Sequence, residues 1–177
     1  SLVGSEMCIR DSGKGTVVEI AGLAGSTPAI DRHEGFMSVI SACPDIRLLA
    51  KEDGAWLRSR AEERMDTLLA RFPEIDVVYA QNARMAAGAY AAAMRRKREK
   101  GMRFVGTDAI PGEGYGVEQV LSGELDATFI YPTGGDRVMQ IAMDILNKRD
   151  FPCETILSTS VVDRDNAPIM KMQTAHI

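Results

Sequence analysis

Short apolar runs alternate with amphipathic stretches along most of the chain. Runs of β-branched and apolar residues predict strands, and apolar residues recurring at helical steps predict helices. The predicted strands cover residues 16–20, 46–50, 76–80, 103–106, 127–131 and a region near 155–162. The predicted helices cover residues 27–43, 57–72, 84–98, 115–122, 134–148 and a stretch from residue 166. This alternation indicates an α/β fold, a doubly wound parallel sheet with flanking helices.

The alternation also indicates where a ligand would bind. In open parallel sheets, ligands bind beyond the carboxyl ends of the strands. The residues that follow the predicted strands are Gly22–Thr27, Asp53–Trp56, Gln81–Asn82, Asp108 and Tyr131–Thr133. They contain no Ser-His-Asp or Cys-His pairing, so nucleophilic catalysis is not indicated. Acid–base catalysis by the carboxylates stays open, although their spacing does not pair them.

Composition narrows the function classes further. The chain has 177 residues and a formal net charge of −4, which argues against a nucleic-acid surface. No apolar run is long enough to predict a membrane-spanning helix. The cysteines are Cys8, Cys43 and Cys153, and the histidines are His33 and His176. Their spacing indicates neither a zinc site nor a disulfide framework, so we expect no metal and no cofactor.

The first twelve residues, SLVGSEMCIRDS, do not match the rest of the chain. They lack the basic start, apolar run and cleavage site of a signal peptide. They resemble the translated adapter sequence found at the ends of assembled environmental reading frames. We therefore expect residues 1–12 to be a non-native leader, with a disordered native leader as the alternative.

Three further motifs have ordinary structural interpretations. Gly22–Thr27 follows a strand but lacks the lysine of a P-loop. The glycines of 112–116 do not have the spacing of the dinucleotide fingerprint. The basic run 95–100 lies at a predicted helix C-terminus, where the helix dipole favours cations. None of them indicates a phosphate or nucleic-acid site.

Four segments together resemble a known family. They read GLAGSTPAIDRHEGF (22–36), YAQNARMAAGA (79–89), FVGTD (104–108) and DATFIYPTGG (126–135). In this order and spacing they resemble the ribose-type sugar-binding branch of the periplasmic binding protein-like class I family. The resemblance extends over about residues 13–175.

The resemblance implies a two-lobed receptor that closes on a small sugar. On that map residues 13–131 form most of the C-terminal lobe, and residues 132–155 return to the N-terminal lobe. Residues 156–177 form a crossover strand and a terminal helix. The N-terminal lobe would be largely missing, so the fold would be incomplete.

The resemblance also implies five ligand-binding residues, namely Arg32, Trp56, Asn82, Asp108 and Tyr131. The guanidinium would donate to two sugar oxygens at once, and the tryptophan would cover the sugar's C–H face. The amide would donate and accept, and the carboxylate would accept from hydroxyls. The tyrosine occupies a hinge position that is polar in the family.

Each of the five also has a structural alternative. The arginine would be a surface helix residue, the tryptophan core packing, the asparagine a helix N-cap and the aspartate a turn residue. The tyrosine, which precedes a proline, would be structural. The family usually has an aspartate directly after the asparagine, and this chain has Ala83.

Three classes of binding protein fit the resemblance. Segments 123–135 and 166–177 are similar to the periplasmic sensor domains of hybrid two-component histidine kinases. We therefore expect a non-catalytic, sugar-sensing periplasmic domain, with a kinase module in the same chain and a possible homodimer. The alternatives are a free periplasmic receptor for the permease of an ABC transporter, and less favoured, the effector domain of a LacI-type repressor. An enzyme on a similar sheet is the remaining class.

Overall fold

The computed structural model describes residues 14–109 and 115–174, with the backbone alone for 172–174. The predicted leader, residues 1–12, therefore lies outside the described residues. So does His176, near the end of the predicted terminal helix.

A six-stranded sheet lies at the centre of the described chain. Its strands are β1 (Gly15–Ala21), β2 (Ile46–Asp53), β3 (Val77–Ala80), β4 (Arg103–Val105), β5 (Ala127–Phe129) and β6 (Val161–Asp163). Their order is β2-β1-β3-β4-β5-β6, and the first five are parallel. The chain leaves β1 for β2 on one side and then crosses to β3 on the other. A topological switch point therefore lies between the carboxyl ends of β1 and β3.

Helices pack on both faces of this sheet. They are α1 (Thr27–Ile40), α2 (Arg58–Arg71), α3 (Ala83–Arg95), α4 (Val117–Ser122), α5 (Gly135–Leu146) and α6 (Ala167–Thr174). On one face, Met65 of α2 and Met85 of α3 are fully buried against Ile20 of β1. On the other face, the ring of Phe36 in α1 stacks on Tyr79 of β3 with centroids 4.7 Å apart. None of the helices in the described ranges is long and apolar enough to cross a membrane.

The predicted α/β fold is confirmed, with one strand corrected. The strand predicted near 155–162 is limited to β6, and β6 runs antiparallel to β5. Residues 151–160 are exposed. β-branched residues favour an extended backbone, but a strand also needs a hydrogen-bonding neighbour, which the sequence pattern does not reveal. The other predicted elements are confirmed, with ends shifted by up to three residues.

The cysteines also differ from the expectation. Cys43 is disulfide-bonded, and Cys153 is an exposed free thiol. Separation along the sequence does not give the distance between two thiols in the folded chain, and that distance decides whether they can pair.

Helices α2 and α3 approach closely at one glycine. A Cβ atom added to Gly88 of α3 would lie 2.3 Å from the Arg58 carbonyl oxygen and 3.1 Å from the Glu62 nitrogen. Both atoms belong to the backbone of α2, so they cannot move aside as a side chain could. By contrast, a Cβ atom added to Gly35 of α1 would meet nothing within 4 Å.

We expect Gly88→Ala to lower the free energy of unfolding by about 1–3 kcal/mol, because the added methyl group forces the two helices apart. This expected loss is opposite in sign to the effect of helix propensity, which favours alanine over glycine by about 1 kcal/mol. The matched control Gly35→Ala should instead stabilise the chain by roughly 0.5–1 kcal/mol. Urea denaturation of the three proteins measures both effects, and a stabilised Gly88→Ala variant would contradict the close approach.

Candidate functional site

Arg32 is the centre of a polar cluster at the switch point. It lies in α1, and its Nη2 donates to Asp108 Oδ1 at 2.9 Å. Its Nη1 donates to the main-chain oxygen of Gln81, directly after β3. The side chains of Arg32 and Asp108 are 15% and 21% exposed, so the pair is shielded yet reachable from solvent. The fork of the guanidinium is thus fixed by acceptors that follow two different strands.

Two aromatic rings lie against the same guanidinium. Its carbon is 5.4 Å from the ring centroid of Trp56 and 4.9 Å from that of Tyr131. Both distances are within the range of a cation–π contact. Four of the five predicted residues, Arg32, Trp56, Asp108 and Tyr131, are therefore brought together. Flat rings and fixed donors of this kind are chemically suited to the C–H faces and the hydroxyls of a small polar ligand.

The turns that present these side chains have unusual backbone conformations. Trp56 has a φ of 63° and Asp108 a φ of 71°, both in the left-handed region that side chains other than glycine rarely adopt. The turn before Trp56 is supported by Asp53, whose Oδ1 accepts from the Ala55 nitrogen at 2.8 Å. The Trp56 ring also requires a glycine at position 22, since a Cβ atom there would lie 2.1 Å from it. Such conformations cluster at binding sites.

Asn82 performs the structural role that was its alternative. Its Oδ1 accepts from the Met85 nitrogen at 2.7 Å, which caps α3. Its Nδ2 lies 3.5 Å from the Trp56 carbonyl oxygen, and the residue is 9% exposed. Asn82 thus borders the cluster through the Trp56 main chain, and a contact between its side chain and a ligand stays a prediction.

Gln81 was not among the predicted site residues, yet it joins several parts of the site. Its Oε1 accepts from the Gly22 nitrogen at 2.8 Å, and its Nε2 donates to Glu19 Oε1 at 2.7 Å. The same Nε2 donates to the Ala29 carbonyl oxygen in the first turn of α1 at 3.1 Å. The sequence feature that could have identified Gln81 is its position directly after a buried strand, beside Asn82.

A cavity of about 490 Å³ opens beside Arg32, between α1 and the ends of β3, β4 and β5. This volume falls within the roughly 300–1,000 Å³ of small-molecule sites. Of the predicted residues, Arg32 and Tyr131 line it, and Trp56, Asn82 and Asp108 do not. Much of its remaining wall is apolar, including Phe36 and Phe129.

The chemistry of the cluster is hydrogen bonding and ring packing. Among the described residues, no group of three or more His, Cys, Asp or Glu side chains is placed to hold a metal ion. Tyr79 lies beneath the cluster, and burial raises its pKa to about 12, with a smaller contribution from the nearby charge of Glu19. A hydrogen bond with Thr107 opposes this rise.

Comparison with protein families matches residues 2–150 to the family described as periplasmic binding protein domain. Two curated relatives match part of the chain. A xylitol-binding protein of Mycolicibacterium smegmatis is 36% identical over 123 residues, covering 69% of this chain and 34% of the relative. A ribose import binding protein of Escherichia coli is 31% identical over 127 residues, covering 71% of this chain and 41% of the relative.

A solved structure is more similar to this chain than either of these two relatives. It is described as the fructose-binding periplasmic domain of a hybrid two-component system, and it is 57% identical with a TM-score of 0.94. The alignment covers 98% of this chain and 58% of that chain. This chain therefore spans less than half the length of the two curated relatives and somewhat more than half of the fructose-binding structure.

The raised pKa of Tyr79 predicts a loss of stability in alkali. An unfolded tyrosine ionises near pH 10, whereas folded Tyr79 keeps its proton up to about pH 12. The contribution of the protonated tyrosine to the free energy of unfolding is therefore fully present below pH 10. It is lost as the pH rises from 10 to 12, by up to roughly 2–3 kcal/mol. Unfolding measured across this window should show a smaller loss in Tyr79→Phe than in the wild type. An equal loss in both proteins would contradict the buried state of this hydroxyl.

Proposed function

The chain belongs to the periplasmic binding protein domain family, and we propose that it supplies one side of a cleft that binds a small sugar without catalysis. The observation that carries the proposal is the fixed Arg32 guanidinium, which lies over Trp56 and Tyr131 and is paired with Asp108. A sugar presents hydroxyl oxygens to such a donor fork and hydroxyl hydrogens to such a carboxylate. Its C–H faces suit the aromatic rings.

Fructose is the first ligand to test. The structure with 57% identity is described as fructose-binding, whereas the relatives named for xylitol and ribose share 36% and 31% of aligned residues. A site that holds several hydroxyls rejects analogues lacking one of them, since a buried polar group is then left unpaired. The selectivity of the site therefore follows from the number of ligand hydroxyls that these side chains meet.

We place the sugar-binding domain in the periplasm, as the sensing part of a two-component receptor with a kinase module in the same chain. The description of the 57% identical structure as a domain of a hybrid two-component system favours this assignment. The alternative is a free receptor of an ABC transporter, which the similarity to the ribose import binding protein favours. A LacI-type repressor domain is less favoured. Sequencing of the gene beyond both ends of this chain separates the three, through a kinase region, a secretion signal or a helix-turn-helix domain.

The two-lobe assignment of the segments is also part of this proposal. Residues 13–131 would form most of the C-terminal lobe, and residues 132–155, which contain α5, would return to the N-terminal lobe. The support is that α5 has an apolar side without a cover among the described residues. Val138, Met139, Ile145 and Leu146 are between 52% and 77% exposed. In a complete domain, the rest of the N-terminal lobe would bury this side.

We expect Arg32→Ala to raise the Kd for fructose by about a hundredfold or more, because it removes charge-assisted hydrogen bonds of roughly 1.5–3 kcal/mol each. The measurement is calorimetry on the full-length protein, with ribose and xylitol as competing ligands. The matched control is Arg103→Ala, which also breaks a pair with a carboxylate, Asp126, but at the opposite end of the sheet. Wild-type affinity in Arg32→Ala would refute the site, and no sugar binding by the wild type would refute the function.

The lobe assignment predicts a stability effect that depends on the length of the protein. In the full-length protein, Leu146→Lys should lower the free energy of unfolding by about 2–3 kcal/mol, because the leucine would be buried there. In the present 177-residue chain the effect should be small, since Leu146 is already 77% exposed. The control Gln140→Lys lies on the opposite side of α5 and should change neither protein. Equal effects of the two substitutions in the full-length protein would contradict the assignment.

A further inference from the structure

A carboxylate is buried inside the sheet directly below the arginine of the candidate site. Glu19 is the fifth residue of β1 and is fully buried. Parallel pairing places it beside Tyr79 of β3, and its side chain is directed toward α1. A buried carboxylate is unfavourable unless its oxygens are satisfied, so its partners show what maintains it there.

Each carboxylate oxygen of Glu19 makes a hydrogen bond with a different residue near Arg32. Oε1 accepts from Gln81 Nε2 at 2.7 Å, and Oε2 lies 2.6 Å from His33 Nδ1. Because a carboxylate can only accept, Nδ1 is the donor in the second contact. His33 follows Arg32 directly in α1, and the Gln81 main-chain oxygen accepts from the Arg32 guanidinium. Glu19 therefore binds two residues that lie next to Arg32, namely His33 and Gln81, without binding Arg32 itself.

The network restrains Arg32 in two ways. Through His33 it fixes the rotation of α1 about its axis, which decides where the preceding side chain, that of Arg32, is directed. Through Gln81 it fixes the first turn of α1, because the Gln81 amide also donates to the Ala29 carbonyl oxygen. A binding group works only when such supporting contacts lock its position.

We propose that Glu19 is a positioning residue of the sugar site, acting on Arg32 through His33 and Gln81. The inference rests on the proposed sugar-binding function. A structural role alone would lower stability and leave the affinity of the folded protein unchanged. A positioning role changes affinity, and the change depends on the presence of Arg32.

The test is fructose calorimetry on the full-length protein carrying Glu19→Gln. We expect the Kd to rise about tenfold, since the amide retains the shape of the side chain but cannot accept from both partners. The matched control is Asp76→Asn, another change from carboxylate to amide on a side chain that anchors β1. Asp76 accepts from the Thr16 nitrogen and hydroxyl at 2.7 and 2.8 Å, at the end of the sheet away from the site. It should lower the melting temperature and leave the Kd unchanged.

The dependence on Arg32 is measured by repeating Glu19→Gln in an Arg32→Lys background. There we expect less than a twofold further change, because residues that act through one another are not additive. The proposal is overturned if Glu19→Gln raises the Kd for fructose tenfold both in the wild type and in the Arg32→Lys background. It is also overturned if Glu19→Gln leaves the Kd of the wild type unchanged. If Glu19→Gln does not fold, His33→Ala takes its place. The His33 side chain is 26% exposed and so tolerates removal better, and the same outcomes apply.

A second measurement does not depend on the sugar. In the wild type, hydrogen bonds to Gln81 and Asp108 should slow rotation of the Arg32 guanidinium, giving separate Nη signals in nitrogen-15 NMR spectra. In Glu19→Gln these signals should merge, and in Asp76→Asn they should stay separate. Unchanged signals in Glu19→Gln overturn the positioning role. If the wild type binds no sugar at all, the proposed function fails, and the NMR comparison still decides the role of Glu19.

Discussion

The candidate site depends on the Gln81 side chain bridging two strands and a helix. β1 and β3 are neighbours in the sheet although β2 lies between them in the chain, so their carboxyl ends diverge into different connections. The Gln81 amide spans this divergence by accepting from Gly22 after β1 and donating to the first turn of α1. Its main chain then receives the Arg32 guanidinium. A buried amide whose oxygen accepts and whose nitrogen donates is held rigidly, since breaking any of these bonds leaves a polar group less satisfied.

The sequence predicts the architecture well because the fold repeats one simple pattern. Each of the first five strands is a short apolar run followed by an amphipathic helix, and local periodicity is sufficient to find both. The antiparallel direction of β6 was not predicted, since the direction of a strand depends on the path of a connection that has no periodicity. The disulfide of Cys43 was missed for a similar reason, because proximity in space is not written in the spacing of cysteines.

The grouping of the candidate site residues was predicted in part, and only through a resemblance, while their contact with a ligand stays a prediction. Arg32, Trp56, Asp108 and Tyr131 are brought together as that resemblance implies. Taken alone, Arg32 is an ordinary helix residue and Asp108 an ordinary turn residue. Glu19 and Gln81 were missed because their importance comes from burial and from partners distant in sequence. One signal was present, however: a charged residue in the middle of an otherwise apolar strand needs buried partners.

The Arg32–Asp108 pair would also affect ligand selection in the proposed sugar site. Before any ligand arrives, the donor and the acceptor already satisfy each other at 2.9 Å. In the proposed sugar site, the pair would compete with any ligand group that needs the same Arg32 Nη2 or Asp108 Oδ1 atom. A molecule with one suitable hydroxyl would exchange one charge-assisted bond for another and gain little. The pair would therefore favour ligands that offer an acceptor to Arg32 and a donor to Asp108 at the same time over molecules with a single hydroxyl.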